Sequence, residues 1–191
     1  AALPRCMPDI NLPVQAGSDR VLKIMRRGYT TARYRALIEK IRATIPNVSL
    51  TTDIIVGHPG ETREDFEQTM ALCEEIRFDK VHIAAFSARP DTRAAEQEAD
   101  PALAVPEEEK EARRRALETL QERVATERSA RFLGQTVEVL VEGESKGKWR
   151  GRSPNNKLVF FRHPDDLTGQ IVRIKITQTS PWALQGEAEG A

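Results

Sequence analysis

The chain has 191 residues, 39% hydrophobic and 30% charged, with 29 basic residues balanced by 29 acidic ones. That length suffices for one sizeable core or two smaller ones, and zero net charge excludes a uniformly basic coat, so any nucleic-acid binding must come from a local patch. No apolar run reaches the roughly 20 residues of a bilayer-spanning helix, and the first residues lack the basic-then-apolar order of an export signal, so a cytoplasmic protein without membrane contact is expected.

The opening stretch AALPRCMPDINLPVQAGSD has no Met and runs at once into an extended apolar segment, as the interior of a domain would. From about Asp9 to Phe86, short apolar runs alternate with segments of helical period, which predicts βα units around a parallel sheet. Strands are expected at Ile10 to Val14, Leu50 to Val56 and Val81 to Phe86, nearly continuous in apolar character as strands covered on both faces are. Ser18 or Asp19 caps a short helix carrying Val21, Leu22 and Met25, ended by Gly28. A second helix starts at Thr30. Its residues Tyr34, Leu37, Ile38, Ile41 and Ile45 recur at spacings of three and four, and Pro46 stops it. Thr62 with Asp65 three positions later reads as a capping box for a third helix, whose Phe66, Met70 and Cys73 form a buried face.

Residues Arg89 to Val105 lack periodicity and read as a loop. Pro106 then suits a first helical position, Glu107, Glu108 and Glu109 suit the positive end of the dipole, and the helix runs to about Arg131. Leu117, Leu120 and Val124 make its narrow apolar stripe, with Arg113 to Arg115 on the wet side. Beyond Gly134 the pattern changes to short alternating strands, TVEVLVEG, KLVFF, IVRIKIT and WALQGE, with a turn around Lys146 and Gly147. This predicts a small antiparallel barrel and a division into residues 1–133 and 134–191.

Three strand exits carry polar groups or glycine where ligands sit in parallel α/β folds. Gln15 and Ser18 follow the first strand and can hydrogen-bond hydroxyl or carboxylate groups, although Ser18 also serves as a plain N-cap. Asp53 lies inside the second strand, which ends in Gly57, His58, Pro59, Gly60 and Glu61. Glycine there permits close approach of a ligand, and the same residues equally make a tight connection. His58 reads as an exposed loop residue and Arg89, at the third exit, as a solvated one. The two cysteines, Cys6 and Cys73, lie far apart without nearby ligand-type residues, so neither a disulfide framework nor a metal site is expected.

In the barrel, Lys146, Lys148, Arg150 and Arg152 form a run without acids, with Trp149 inside it and Asn156 and Lys157 just after. Cations that follow phosphates beside an aromatic that stacks on a base are what unpaired RNA requires, although a charged hairpin tip with a core Trp149 fits the same residues. Trp182, in an alternating strand, is expected to pack the barrel.

NLPVQAGSDRVLKIMRRGYT, TTDIIVGHPGET and FSARPDTRAA, in that order and spacing, closely resemble the later half of the radical S-adenosylmethionine (SAM) barrel of MiaB-type tRNA methylthiotransferases. The block VEVLVEGESKGKWRGRSPNNKLVFF with LTGQIVRIKIT and WALQGE resembles their RNA-binding TRAM domain. The resemblance implies an α/β chain holding the last three strands of a parallel (β/α) barrel followed by an OB-like barrel. It implies SAM as cofactor, with Gln15 and Ser18 towards its ribose or amino-acid part and Asp53 and Gly57 lining its pocket. It further implies two 4Fe-4S clusters in the intact protein, a tRNA anticodon stem-loop as partner and a monomeric intact enzyme. Two positions depart from the family pattern, His58 for Phe and Asp91 for Gly. The family's Cys-x3-Cys-x2-Cys loop and its N-terminal three-cysteine domain are not in this sequence, so the cluster ligands belong to missing N-terminal portions, and no catalytic or metal-binding residue is assigned here. The alternatives are a stand-alone RNA-binding module, a sister enzyme with another tRNA or ribosomal-protein substrate, and a scaffold. Exposure of the first strand's apolar side chains at a sheet edge would make the chain self-associate.

Overall fold

A computed structural model describes residues 7–189. Cys6 lies outside the described residues. The first unit is a three-stranded parallel sheet in the order β1 (Asp9–Asn11), β2 (Ser49–Val56), β3 (Lys80–Ala85). Helices α1 (Asp19–Ile24) and α2 (Thr31–Thr44) lie between β1 and β2 in the chain, and α3 (Arg63–Ile76) between β2 and β3.

β1 is shorter than its apolar run because Pro13 has no N–H to give the ladder. Thr52, fully buried, repairs the gap: its hydroxyl donates to the Leu12 carbonyl (2.8 Å) and accepts from the Val14 N–H (2.9 Å). Regular pairing resumes at Gln15, which bridges to Ile54. β1 is the expected edge strand; Val14 is fully buried, and Ile10 and Leu12 are partly buried against the core, so little of its apolar surface lies at the edge.

The helix caps follow the sequence signals. The hydroxyls of Ser18, Thr30 and Thr62 accept N–H groups of the first turns they precede, and Thr62 with Asp65 closes a full capping box, each cap contributing about 1 kcal/mol. α1 ends at Ile24, four residues before Gly28. Within the expected loop a short helix, α4 (Arg93–Glu98), forms behind a Thr92 cap. Asp91 takes a left-handed φ of 59°, a conformation acidic residues tolerate.

α5 (Glu107–Ala130) begins after Pro106, which is its cap residue. It lays Leu117, Leu120 and Val124 into the same core as Leu50, Ile54, Val56, Leu72 and Phe78, and ion pairs from Arg123 to Glu74 and from Arg77 to Glu127 flank that contact. Among the described residues, no helix is long and apolar enough to cross a membrane.

The second unit is a closed five-stranded barrel of β4 (Thr136–Ser145), β5 (Lys148–Arg152), β6 (Leu158–Phe161), β7 (Ile171–Thr179) and β8 (Ala183–Ala188), in the order β4-β5-β6-β8-β7. It is mixed, not purely antiparallel, because β6 and β8 run parallel. A closed ring of five strands cannot alternate direction all the way round, so at least one parallel pair is unavoidable. Its core is Val139, Val141, Val159, Phe161, Ile174, Ile176 and Leu184, joined by Phe132 from beyond the end of α5. Gly151 allows β4 and β5 to meet closely, since a Cβ there would stand 2.2 Å from the Leu140 carbonyl oxygen.

Candidate functional site

Alternation along β2 sends Leu50, Thr52, Ile54 and Val56 under the helices and Thr51, Asp53 and Ile55 to the opposite face. That second face is polar. Asn11 donates to Asp53 (3.0 Å) and accepts from the Thr51 hydroxyl (3.0 Å), and exposed His82 pairs in register with Asp53. Asp53 is therefore partly exposed in this chain, on the sheet face opposite the helices.

The strand exits are built differently from what the sequence suggests. Gln15 has a left-handed φ of 70°; its N–H donates to the Asp53 carbonyl and its carbonyl accepts from Ile55, each near 3 Å. Its half-buried side chain has no hydrogen-bond partner among the described residues, so it is free for a ligand. Ser18 is 1% exposed, and beyond capping α1 it donates to Asp65 at 2.6 Å. Gly57, at φ 74°, gives its N–H to Glu61 (2.5 Å), and a Cβ there would meet the Lys110 side chain at 2.4 Å. The Ser18 hydroxyl and the Gly57 N–H are thus already engaged, and these two residues shape the exits.

Two buried carboxylates fix those exits. Asp65 accepts from Ser18, from the Thr62 N–H and hydroxyl (both 2.9 Å) and from the Arg20 guanidinium, which also reaches the Gly60 carbonyl. Burial alone would raise Asp65, but these hydrogen bonds outweigh it and hold the carboxyl well below the usual carboxylate range. Glu61 pairs with Arg113 of α5 at 2.8 Å, with side-chain exposures of 1% and 6%. Burial pushes Glu61 up, against the Gly57 amide and Arg113 that favour its charge. His58, expected in solvent, is 6% exposed; its Nδ1 lies 3.0 Å from the Pro59 carbonyl, its ring meets Phe86 edge-on, and burial lowers its pKa.

Glu61 and Arg113 were the missed residues. Arg113 stands four residues before Leu117 on the Leu117, Leu120, Val124 stripe, so its helical phase already placed it inward. Cys73 is buried, and burial pushes its thiol up to about 12, which removes it as a thiolate ligand. No group of three or more His, Cys, Asp or Glu able to hold a metal occurs among the described residues. An iron–sulfur cluster has no ligand set among them.

On the barrel, β5 alternates so that Lys148, Arg150 and Arg152 point to one side and Trp149 and Gly151 to the other. The turn before it holds exposed Lys146 at φ 52°. Arg150 and Arg152 are exposed, while Lys148 also donates to Gln185 (2.7 Å). Trp149 packs against the barrel core and donates to the His163 carbonyl (3.0 Å). Asn156 and Lys157 do not continue this row. Asn156 donates to Asp9 of β1 (2.9 Å), and buried Lys157 pairs with Asp79 at 3.4 Å, so Lys157 is committed to the junction with the sheet and is not a free phosphate contact. Trp182, expected in the barrel core, is 53% exposed at the start of β8.

Residues 3–73 match the radical SAM superfamily and residues 130–188 match the TRAM domain. A solved structure of the radical SAM enzyme coproporphyrinogen III oxidase (HemN) from Escherichia coli superposes on 62% of this chain, and on 27% of its own, with a TM-score of 0.52 and 19% identity, a likeness of fold. The chain is thus a radical SAM α/β unit joined to a TRAM barrel. It is 79% identical over 97% of its length to tRNA-2-methylthio-N(6)-dimethylallyladenosine synthase of Chloroflexus aurantiacus and 74% identical over 97% to that of Roseiflexus sp., covering 40% and 39% of those proteins. The chain belongs to this MiaB-type radical SAM family, and it spans about two fifths of the length of the curated relatives it matches.

Proposed function

We propose that the chain is the C-terminal portion of a radical SAM tRNA methylthiotransferase that places a methylthio group on carbon two of an N6-isopentenyladenosine beside the anticodon. The observation that carries this reading is the combination of an open polar sheet face, Asn11, Thr51 and Asp53, with a basic row on an attached barrel. Gln15 and Asp53 are the residues of this chain suited to hold SAM, since both keep partly exposed polar side chains, at a strand exit and on the polar face respectively, while Ser18 and Gly57 hold the exits in shape. SAM, when bound in the whole protein, supplies the radical and the methyl group. The clusters, two in this reading, take their ligands from the N-terminal portions.

Lys146, Lys148, Arg150 and Arg152 bind the phosphates of the anticodon stem-loop, with the functional division at residues 133 and 134. The intact protein works as a monomer in the cytoplasm, where its tRNA substrate is.

The test is titration of a synthetic anticodon stem-loop RNA against the chain at several salt concentrations. Of the four cations, Lys148, Arg150 and Arg152 together contribute about −2 to −3 to the slope of log affinity against log salt, and replacing those three by Ala leaves only the contribution of Lys146. Binding that the triple substitution leaves unchanged would sink the RNA assignment. For SAM, calorimetry on the full-length protein with Asp53→Ala is decisive, and unaltered affinity removes Asp53 from the site.

A further inference from the structure

Trp182 is the largest exposed apolar side chain among the described residues, and neither the barrel core nor the basic row accounts for it. It follows Pro181 in the turn that opens β8, a turn closed by the Ser180 N–H and hydroxyl donating to the Ala183 carbonyl, so its backbone is fixed. Trp182 lines a cleft of about 450 Å3 between the barrel and the N-terminal ends of the sheet strands. That volume falls within the range of roughly 300–1,000 Å3 that small-ligand sites occupy. Trp182 and Lys80 also border a second hollow, of about 500 Å3, against α5.

The cleft is positively biased. Lys80 and Arg152 are exposed on its walls. Among the lining residues three cations, Lys80, Arg152 and Lys157, face two acids, Asp79 and Asp9, and Lys157 pairs with Asp79. Asp9, the other acid on the walls, is engaged by the Asn156 amide. Inward, the cleft reaches Asn11, Thr51 and His82, the polar face described above. An aromatic side chain, cations and polar groups lining one cleft are the components that hold an unpaired nucleotide: stacking for the base, charge for its phosphates.

We propose that this cleft lodges one unpaired nucleotide of the RNA, its base stacked on Trp182 and its phosphates against Lys80 and Arg152. The inference rests on the reading of the barrel as an RNA-binding unit and adds to it a second contact, on the side of the barrel that faces the sheet. It accounts for an indole left half in water where the barrel has core space for other apolar residues.

The sequence has two tryptophans, so the Trp149→Phe protein reports Trp182 alone. The anticodon stem-loop RNA is titrated into it, with tryptophan emission and the anisotropy of labelled RNA read together. Emission quenching that saturates with the anisotropy supports the proposal, as does a loss of about tenfold in affinity for Trp182→Ala in the otherwise unchanged chain with recovery in Trp182→Phe. Binding seen by anisotropy with Trp182 emission unmoved and Trp182→Ala within twofold of wild type overturns it while leaving RNA binding intact. No binding by the unchanged chain even at low salt removes the RNA reading itself, and the proposal with it. A Trp182 quenched by the N-terminal portion of the full-length protein, and not by RNA, overturns it in favour of a protein occupant.

Discussion

Asp79→Asn tests whether the two units form one piece. The Asp79 side chain is 1% exposed and accepts from the Leu50 N–H (3.1 Å), Arg128 (2.7 Å) and Arg131 (3.2 Å), with Lys157 of the barrel at 3.4 Å. Burial would raise its pKa, but the Arg128 hydrogen bond and the surrounding cations prevail and lower it. Asn preserves the shape and can keep one acceptor for Leu50, so the loss is the charge, which leaves three cations facing one another. Breaking a buried pair from one side costs about 3–5 kcal/mol, and the retained hydrogen bond argues for the lower end, about 3 kcal/mol. For a chain of this length 1 kcal/mol moves Tm by about 2–4 °C, so thermal unfolding followed at 222 nm should fall by roughly 6–12 °C. The sign with pH follows. A depressed carboxylate contributes stability above its unfolded pKa of about 3.9 and loses it as pH falls through the folded value, so the gap between wild type and Asp79→Asn closes on acidification below about pH 4. Adding Lys157→Met to Asp79→Asn should cost less than the sum of the single changes. A Tm within 2 °C of wild type, or strict additivity, would refute the argument.

Arg113→Met strands the Glu61 carboxylate in the interior and should cost about 3–5 kcal/mol in urea unfolding, most of it recovered when Glu61→Gln is added. Gly151→Ala drives a Cβ towards a backbone oxygen 2.2 Å away and should remove about 3 kcal/mol or more, seen as a lower urea midpoint; a neutral result would mean that β4 and β5 can part. Gly57→Ala adds left-handed strain of about 1–2 kcal/mol to a clash with Lys110, and its stability should drop on calorimetry by at least that much. Cys73 should resist iodoacetamide at pH 8 in the native chain and react in urea, as a buried thiol raised to about 12 does; fast native labelling would contradict its burial.

What the sequence disclosed were local instructions. Ser18, Thr30 and Thr62 announced their helices because a cap is a relation over three residues, and the stripe on α5 announced its core face because helical period is a relation over four. Thr52 standing in for the ladder beside Pro13 needs a partner 40 residues away, and no local pattern encodes it. Ser18 and Gly57 were legible as exit residues, but the bond from Ser18 to Asp65 joins segments 47 residues apart and no local pattern encodes it. Lys157 continued the basic run in sequence, yet β5 ends at Arg152 and the turn that follows carries Lys157 round to Asp79. Trp182 shows the opposite failure: strand alternation gives a parity, and the turn at Pro181 breaks the phase that would have sent it inward.

The same long-range contacts decide how the two candidate surfaces are related. Asp53 of the open face is held by Asn11, two residues along β1 from Asp9; Asp9 accepts from Asn156, and the Asn156 carbonyl accepts from Arg152, the last cation of the basic row. Beside this chain of contacts Asn155 donates to the Asn47 carbonyl at the foot of β2, and Asp79 draws in Lys157. Exposed hydrogen bonds of this kind contribute about 1 kcal/mol each, too little singly to fix a domain, but parting Lys157 from buried Asp79 would strand charge in the junction, which is costly. The barrel is therefore seated against the sheet by a polar junction anchored at one carboxylate. If the row binds RNA as proposed, loosening Asp79 should change how the row lies against the face of Asp53 before it weakens phosphate binding by the row itself.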